Sequence, residues 1–156
     1  MILSVASLTI PLMAMMALHK VLQAQNGIQS YLPEIKNSIQ TSRKPKEDEF
    51  KSGLLGNYFA KSMLPKDKLN KMKTFKSMNP NGSNLDKSVL DKFINQQKTL
   101  LELLEQAKTV SLTKTKTGIS ISKWIKLRLG DTFRVVIYHN LRHVIQAKKV
   151  MKEACK

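Results

Sequence analysis

Residues 130–147 read Gly-Asp-Thr-Phe-Arg-Val-Val-Ile-Tyr-His-Asn-Leu-Arg-His-Val-Ile-Gln-Ala, and they predict the helix that decides the fold. The opening Gly-Asp-Thr supplies a stop for the preceding segment and a capping residue for the new helix. Apolar residues then recur every three or four positions, as they do on the buried face of a helix. The predicted face consists of Phe133, Val136, Ile137, Val144, Ala147, Val150 and Met151.

Two of the three histidines in the chain, His139 and His143, stand four residues apart in this predicted helix. Residues at this spacing lie one above the other, with their Cβ atoms about 5–6 Å apart, so two imidazoles can converge on one divalent ion. Stepping about 100° per residue places both histidines at the edge of the apolar face. The pair is therefore predicted at the margin of a groove, and further metal ligands must come from elsewhere in the chain.

An earlier helix is predicted from Pro11 to about Gln40, with a bend indicated by Gly27 and Pro33. The 18 residues at the amino terminus carry no charge, but they lack the basic opening of a secretory signal, and Pro11 interrupts them as a membrane span. They are interpreted as the start of a buried helix, with a signal or an altered amino terminus as the alternative.

The middle of the chain predicts loops around one amphipathic helix. Residues 41–52 are polar and read as a loop, 54–60 as an apolar segment that enters the core, and 65–84 as a long irregular linker. Asn84 or Asp86 is expected to cap the next helix. Its predicted buried face consists of Leu85, Val89, Phe93, Gln97, Leu100, Leu104 and Ala107.

Residues 109–123 alternate Thr, Ser and Lys with apolar residues and predict an extended crossover. Trp124, the only tryptophan, is expected to pack at this crossover.

The composition indicates one domain, residues 1–156, in a reducing compartment. A chain of this length buries a core without disulfides, and Cys155 is its only cysteine. The net charge is +16, from 27 basic and 11 acidic residues. Nucleic acid would be attracted by such a charge, but the basic residues are mostly scattered lysines, so a solvated lysine-rich surface is the preferred interpretation.

Three motifs together carry a family pattern: residues 130–147 with their His-x-x-x-His, residues 50–63, and residues 71–76. In these motifs the chain resembles the DinB-like superfamily of metal-dependent four-helix bundles, over about residues 18–152. The resemblance implies an all-α fold with a shortened or incomplete first helix, because only residues 1–10 remain for that helix here. A short helix at 2–9, a partner subunit or an altered start of the reading frame could account for the gap.

Members of that superfamily hold Zn or Ni through three histidines, and His139 and His143 match the carboxyl-terminal pair. Counting back from Tyr31-Leu32-Pro33, the third histidine is expected at Gln23, where the chain departs from the pattern. Either His19, one helical turn earlier on the same face, is the third ligand, or Gln23 offers a weak carbonyl oxygen and the site is degraded. Arg142 and Gln146 are further candidates, Arg142 for a substrate anion or for surface pairing and Gln146 for orienting a histidine.

The resemblance implies a thiol-dependent S-transferase or a hydrolase that uses the metal on a small-molecule substrate, which for a transferase would be a low-molecular-weight thiol. Homodimers, a cytoplasmic location and no membrane association are also expected. The alternatives are a non-catalytic bundle with a degraded metal site and a basic nucleic-acid-binding module.

Overall fold

A computed structural model describes residues 3–65, 85–119 and 122–154. In chain order its elements are α1 (Leu3–Gln29), α2 (Tyr31–Thr41), α3 (Leu54–Met63), α4 (Ser88–Gln106), a 3-10 turn (Ala107–Thr109), β1 (Lys116–Ile119), β2 (Ser122–Arg128) and α5 (Leu129–Ala154). The predicted predominance of helix is confirmed. The all-α class is wrong in one respect, because β1 and β2 form a two-stranded antiparallel sheet.

The predicted helix from Pro11 to Gln40 is two helices, and it starts earlier than expected. Pro33 has no N–H to donate to the carbonyl of Gln29, and its ring crowds that carbonyl, so α1 ends at Gln29 and α2 starts after Ser30. Pro33 then lies in the first turn of α2, where a backbone N–H has no helical partner in any case. At the other end, residues 3–10 are continuous with α1 and do not form a separate first helix.

Helix α1 packs along α5 and against α4, α3 packs against α5, and α2 packs against β1. The core is the cluster Ile28, Tyr31, Ile35, Ile39, Ala60, Leu100, Leu103, Ala107, Val110, Ile119, Leu127, Leu129, Phe133, Val135 and Val136. The predicted face of α4 is confirmed at Val89, Leu100 and Ala107, whereas the buried Leu103 was missed. On α5, Ile137 and Met151 were placed in the core and are exposed.

The predicted cap of α4 is confirmed at Asp86, whose carboxylate accepts a hydrogen bond from the backbone N–H of Ser88 at 2.7 Å. Asn84, the other candidate, lies outside the described residues. The predicted irregular linker also falls there, except for its ends.

The apolar segment at 54–60 lies in α3, where Ala60 belongs to the core and Phe59 packs against it as predicted, but the other large side chains are exposed. Leu54 is 96% exposed, whereas Gly56 and Ala60 are buried. A Cβ atom on Gly56 would lie 2.3 Å from a carboxylate oxygen of Asp131, so the small residues let α3 approach α5 closely.

Asp131 was predicted to cap α5, but α5 starts two residues earlier and Asp131 is fully buried in its first turn. Its carboxylate accepts hydrogen bonds from the backbone N–H of Gly53 at 2.8 Å and from the hydroxyl of Ser52. The guanidinium of Arg134 lies 3.2 Å from the same carboxylate and donates to Asn57 at 3.1 Å. Asp131 therefore joins the start of α3 to α5.

The predicted extended segment contains β1, and the predicted polar loop packs beside it. Thr117 and Leu127 are paired across the sheet and both face the core. The carboxylate of Glu47 accepts hydrogen bonds from Ser111 and from the backbone N–H of Thr113, so the loop after α2 is fixed to the segment before β1. Within the described ranges, no helix is both long and apolar enough to cross a membrane.

Candidate metal centre

His139 and His143 lie side by side on the face of α5 that packs against α1. Their ring centroids are 4.6 Å apart, and the ring planes meet at 71°. The ring of His139 lies directly over Gly27 of α1, where an added Cβ atom would be 2.1 Å from the His139 Cε1 atom. Only glycine at position 27 leaves room for this ring.

Burial keeps both imidazoles neutral. It lowers the pKa of His139 from 6.5 to about 4, and the positive charge of Arg142 adds to the effect. Burial also lowers the pKa of His143 to about 3, with smaller contributions from His139, Lys20 and Arg142, while the Gln146 side chain acts in the opposite direction. A neutral imidazole has a free lone pair, which is the form that binds metal ions.

The Nδ1 atoms of both histidines are buried and have no hydrogen-bond partner among the described residues. A buried polar atom without a partner costs about 1–3 kcal/mol, so a ligand that engaged these nitrogens would recover that energy. The two imidazoles therefore fit a metal ion in burial, in charge state and in their unused nitrogens.

Gln23 occupies the level of α1 that faces the pair. His139 contacts Gly27, and Lys20 is close enough to His143 to affect its charge, so α1 and α5 run antiparallel. Gln23 lies one turn from Gly27 toward the amino terminus of α1, and His143 lies one turn from His139 toward the carboxyl terminus of α5. Gln23 is therefore at the same level as His143. The Gln23 side-chain oxygen accepts a hydrogen bond from the Lys20 ammonium at 3.3 Å.

His19, the other predicted third ligand, lines a separate groove. The other residues that line this groove are Leu12, Met15, Met16, Leu85 and Lys20, whose positive charge also acts on His143. Burial and the positive charge of Lys20 lower its pKa. Across residues 3–65, 85–119 and 122–154, no three His, Cys, Asp or Glu side chains are grouped closely enough to hold a metal ion.

Arg142 and Gln146 both lie near the pair. Gln146 is next to His143, and its own side-chain oxygen is buried and without a partner in the described part of the chain. The prediction that Arg142 pairs on the surface is wrong, since its side chain is only 5% exposed. Its positive charge acts on both histidines, and it is a helix neighbour of His139 at the i, i+3 spacing.

Sequence reasoning missed a layer of amide side chains close to the pair. Asn140 donates to the side-chain oxygen of Gln97 at 2.7 Å, and Gln96 donates to the backbone carbonyl of Gln25 at 3.1 Å. The side-chain oxygens of Asn140, Gln96 and Gln25 are buried, and no described residue hydrogen-bonds to them. A polar residue inside a predicted apolar face, such as Gln97, was the available signal for this layer.

Comparison with protein-family models, curated proteins and solved structures gave no match to this chain. The resemblance to the DinB-like superfamily therefore rests on the sequence motifs alone.

Proposed function

We propose that this protein binds a divalent transition metal through His139 and His143 and uses it in thiol-dependent group transfer or in hydrolysis. The observation that carries the proposal is the pair of neutral, half-buried imidazoles whose Nδ1 atoms are buried and lack a partner among the described residues. Imidazole suits Zn²⁺ and Ni²⁺, the two ions that the DinB-like resemblance implies.

When bound, such an ion would lower the pKa of a water or thiol ligand toward neutrality and so supply the nucleophile. His139 and His143 would hold the ion, and Gly27 keeps the His139 ring against α1. The side-chain oxygen of Gln23 is the neighbouring group on α1 that could add a weak ligand. Lys20, next to it, and the buried Arg142 provide positive charge that would favour an anionic substrate.

The test is metal content and affinity, measured on untagged protein by elemental analysis and by calorimetric titration with Zn²⁺ and with Ni²⁺. The wild type is expected to bind stoichiometric metal, and His139→Ala and His143→Ala are expected to lose it. His19→Ala is the matched control, because it removes the third histidine from a different groove. Metal loss in His19→Ala would instead identify His19 as a ligand.

The reaction itself is tested on metal-loaded protein with a small thiol and an electrophilic acceptor, following loss of the free thiol. Turnover must require the metal and must disappear in His139→Ala. Stoichiometric metal without turnover on any thiol or ester tested would limit the proposal to metal binding.

A second candidate is a non-catalytic bundle that has kept the fold and lost the site. The contact between Lys20 and Gln23 favours it, because an ammonium group then stands where a third ligand would approach a cation. Gln23→His separates the candidates. Folded wild type without metal uptake, together with uptake by Gln23→His, would show that the missing ligand is what prevents binding.

A further inference from the structure

The antiparallel pair β1 and β2 has one buried face and one exposed face. Thr117 and Leu127 point inward and are buried. Side chains alternate along a strand, so their neighbours Lys116, Lys126 and Arg128 belong to the opposite face. Lys116 is paired with Arg128, and Gly118 is paired with Lys126, which brings three cations onto one short ribbon. The sequence alone shows these cations as scattered.

Trp124 projects from the same ribbon and is 95% exposed. The prediction that Trp124 packs at the crossover is therefore wrong. Tryptophan is a large side chain and is highly buried on average, so a nearly fully exposed indole beside cations is a feature that binding surfaces use.

Glu34 of α2 also reaches this face: its carboxylate lies 3.2 Å from the position of a Cβ on Gly118, the residue paired with Lys126, and offsets part of the positive charge there. Arg128 donates to the backbone carbonyl of Lys51 at 2.5 Å, which fixes its guanidinium at the base of the ribbon. The positive charge of this face is thus strongest where Lys116 is paired with Arg128, away from Glu34.

We propose that this face, formed by Lys116, Trp124, Lys126 and Arg128 and here named the ribbon face, binds single-stranded nucleic acid. The cations would contact successive phosphates, since Lys126 and Arg128 are two residues apart on a strand and so about 7 Å apart along it. The Trp124 indole would stack on a base. The net charge of +16 supplies the long-range attraction.

A single strand fits the ribbon face better than a duplex, because an indole can stack only on a base that is not already stacked and paired. It also fits better than an anionic membrane. An interfacial tryptophan works together with an apolar surface, whereas Lys126, the next residue on the same face of β2, is exposed and cationic.

The protein carries one tryptophan and three tyrosines, so fluorescence excited selectively in tryptophan reports on the ribbon face alone. Titration with oligothymidylate of about 15 nucleotides, within the site size of small single-strand-binding modules, is expected to quench this fluorescence in a saturable way. Trp124→Ala, followed by the anisotropy of a labelled oligonucleotide, is expected to weaken binding about ten-fold. The exposed position of Trp124 means that this variant should fold normally.

Lys126→Glu is compared with Lys98→Glu, which makes the same change of charge at an exposed position on α4. Lys126→Glu is expected to weaken binding several-fold more than Lys98→Glu and to reduce the salt dependence by about 0.7 in the logarithmic slope for each phosphate that is no longer neutralised. Equal weakening by the two variants would mean non-specific attraction and would overturn the proposal, as would unchanged affinity in Trp124→Ala. A blue shift with vesicles containing phosphatidylserine, without any response to the oligonucleotide, would overturn it in favour of a membrane surface.

Discussion

Gly27→Ala is the sharpest test of how α1 and α5 form the histidine site. An alanine Cβ at this position would lie 2.1 Å from the Cε1 atom of His139 and 2.6 Å from its Nε2 atom. Both distances are far below van der Waals contact, so either the His139 ring or the helix spacing must change.

The expected change in the free energy of unfolding follows from two opposing effects. Forcing an extra methyl group into a packed interface costs about 1–3 kcal/mol. Replacing glycine by alanine inside a helix returns up to about 1 kcal/mol through helix propensity. Gly27→Ala should therefore lower the free energy of unfolding by about 1 kcal/mol, although alanine is the better helix former. It should also abolish metal uptake, because the His139 ring is displaced.

The assay is a double-mutant cycle measured by urea unfolding. In a His139→Ala background the ring is gone, so Gly27→Ala should become stabilising. The sign reversal corresponds to a coupling energy of about 2 kcal/mol between the two positions. If Gly27→Ala stabilises the wild type, or if the coupling is below about 0.5 kcal/mol, the close packing of His139 on α1 is refuted.

Three further predictions concern charge. The folded pKa values of about 4 for His139 and about 3 for His143 lie below the unfolded value of 6.5, so only the unfolded chain gains these protons as the pH falls from 6.5 toward 4. The free energy of unfolding should therefore fall over that range by up to about 1.4 kcal/mol per pH unit for each histidine. Urea titrations at several pH values should show a weaker dependence of this free energy on pH when both histidines are changed to Gln. Asp131→Ala should destabilise the protein by about 3 kcal/mol because it leaves buried donors unpaired. Glu105→Ala, which removes an exposed ion pair at the same i, i+3 spacing, should cost under about 1 kcal/mol. Similar losses for the two variants in thermal or urea unfolding would contradict this prediction. Lys20→Met should raise Zn²⁺ affinity at least about ten-fold by removing a positive charge beside the site, and an unchanged affinity in calorimetry would show that this charge does not oppose the metal.

The helices were predictable where a long periodic pattern matched the burial. Val89 and Leu100 of α4 and Ala107, directly after it, belong to the predicted three-four repeat, and all three are buried. The polar loop after Thr41 was equally clear, since it has no apolar period and contains a central proline. Errors arose at helix ends. Pro11 suggested a first turn, yet α1 begins at Leu3, and Pro33 ends α1 through its effect on Gln29, four residues before it.

Burial within short apolar segments was less predictable. Leu54 reads as a core residue, but helix α3 turns its small residues, Gly56 and Ala60, toward α5. Asp131 reads as a cap for its own helix, but it accepts hydrogen bonds from the start of α3, 78 residues earlier in the chain at Gly53. Such a contact leaves no local pattern, because the partner is chosen by the packing of two helices.

Local sequence is enough to define most of the helical segments, the spacing that puts His139 and His143 on one face of α5, and the lack of a histidine at position 23. Periodicity fixes which residues share a face, and that is a local property of the chain. Tertiary packing, in contrast, sets the pair against Gly27 and brings Lys20 of α1 near His143 of α5. These facts depend on the direction and spacing of α1 relative to α5, which are set by packing between segments more than 100 residues apart in the chain.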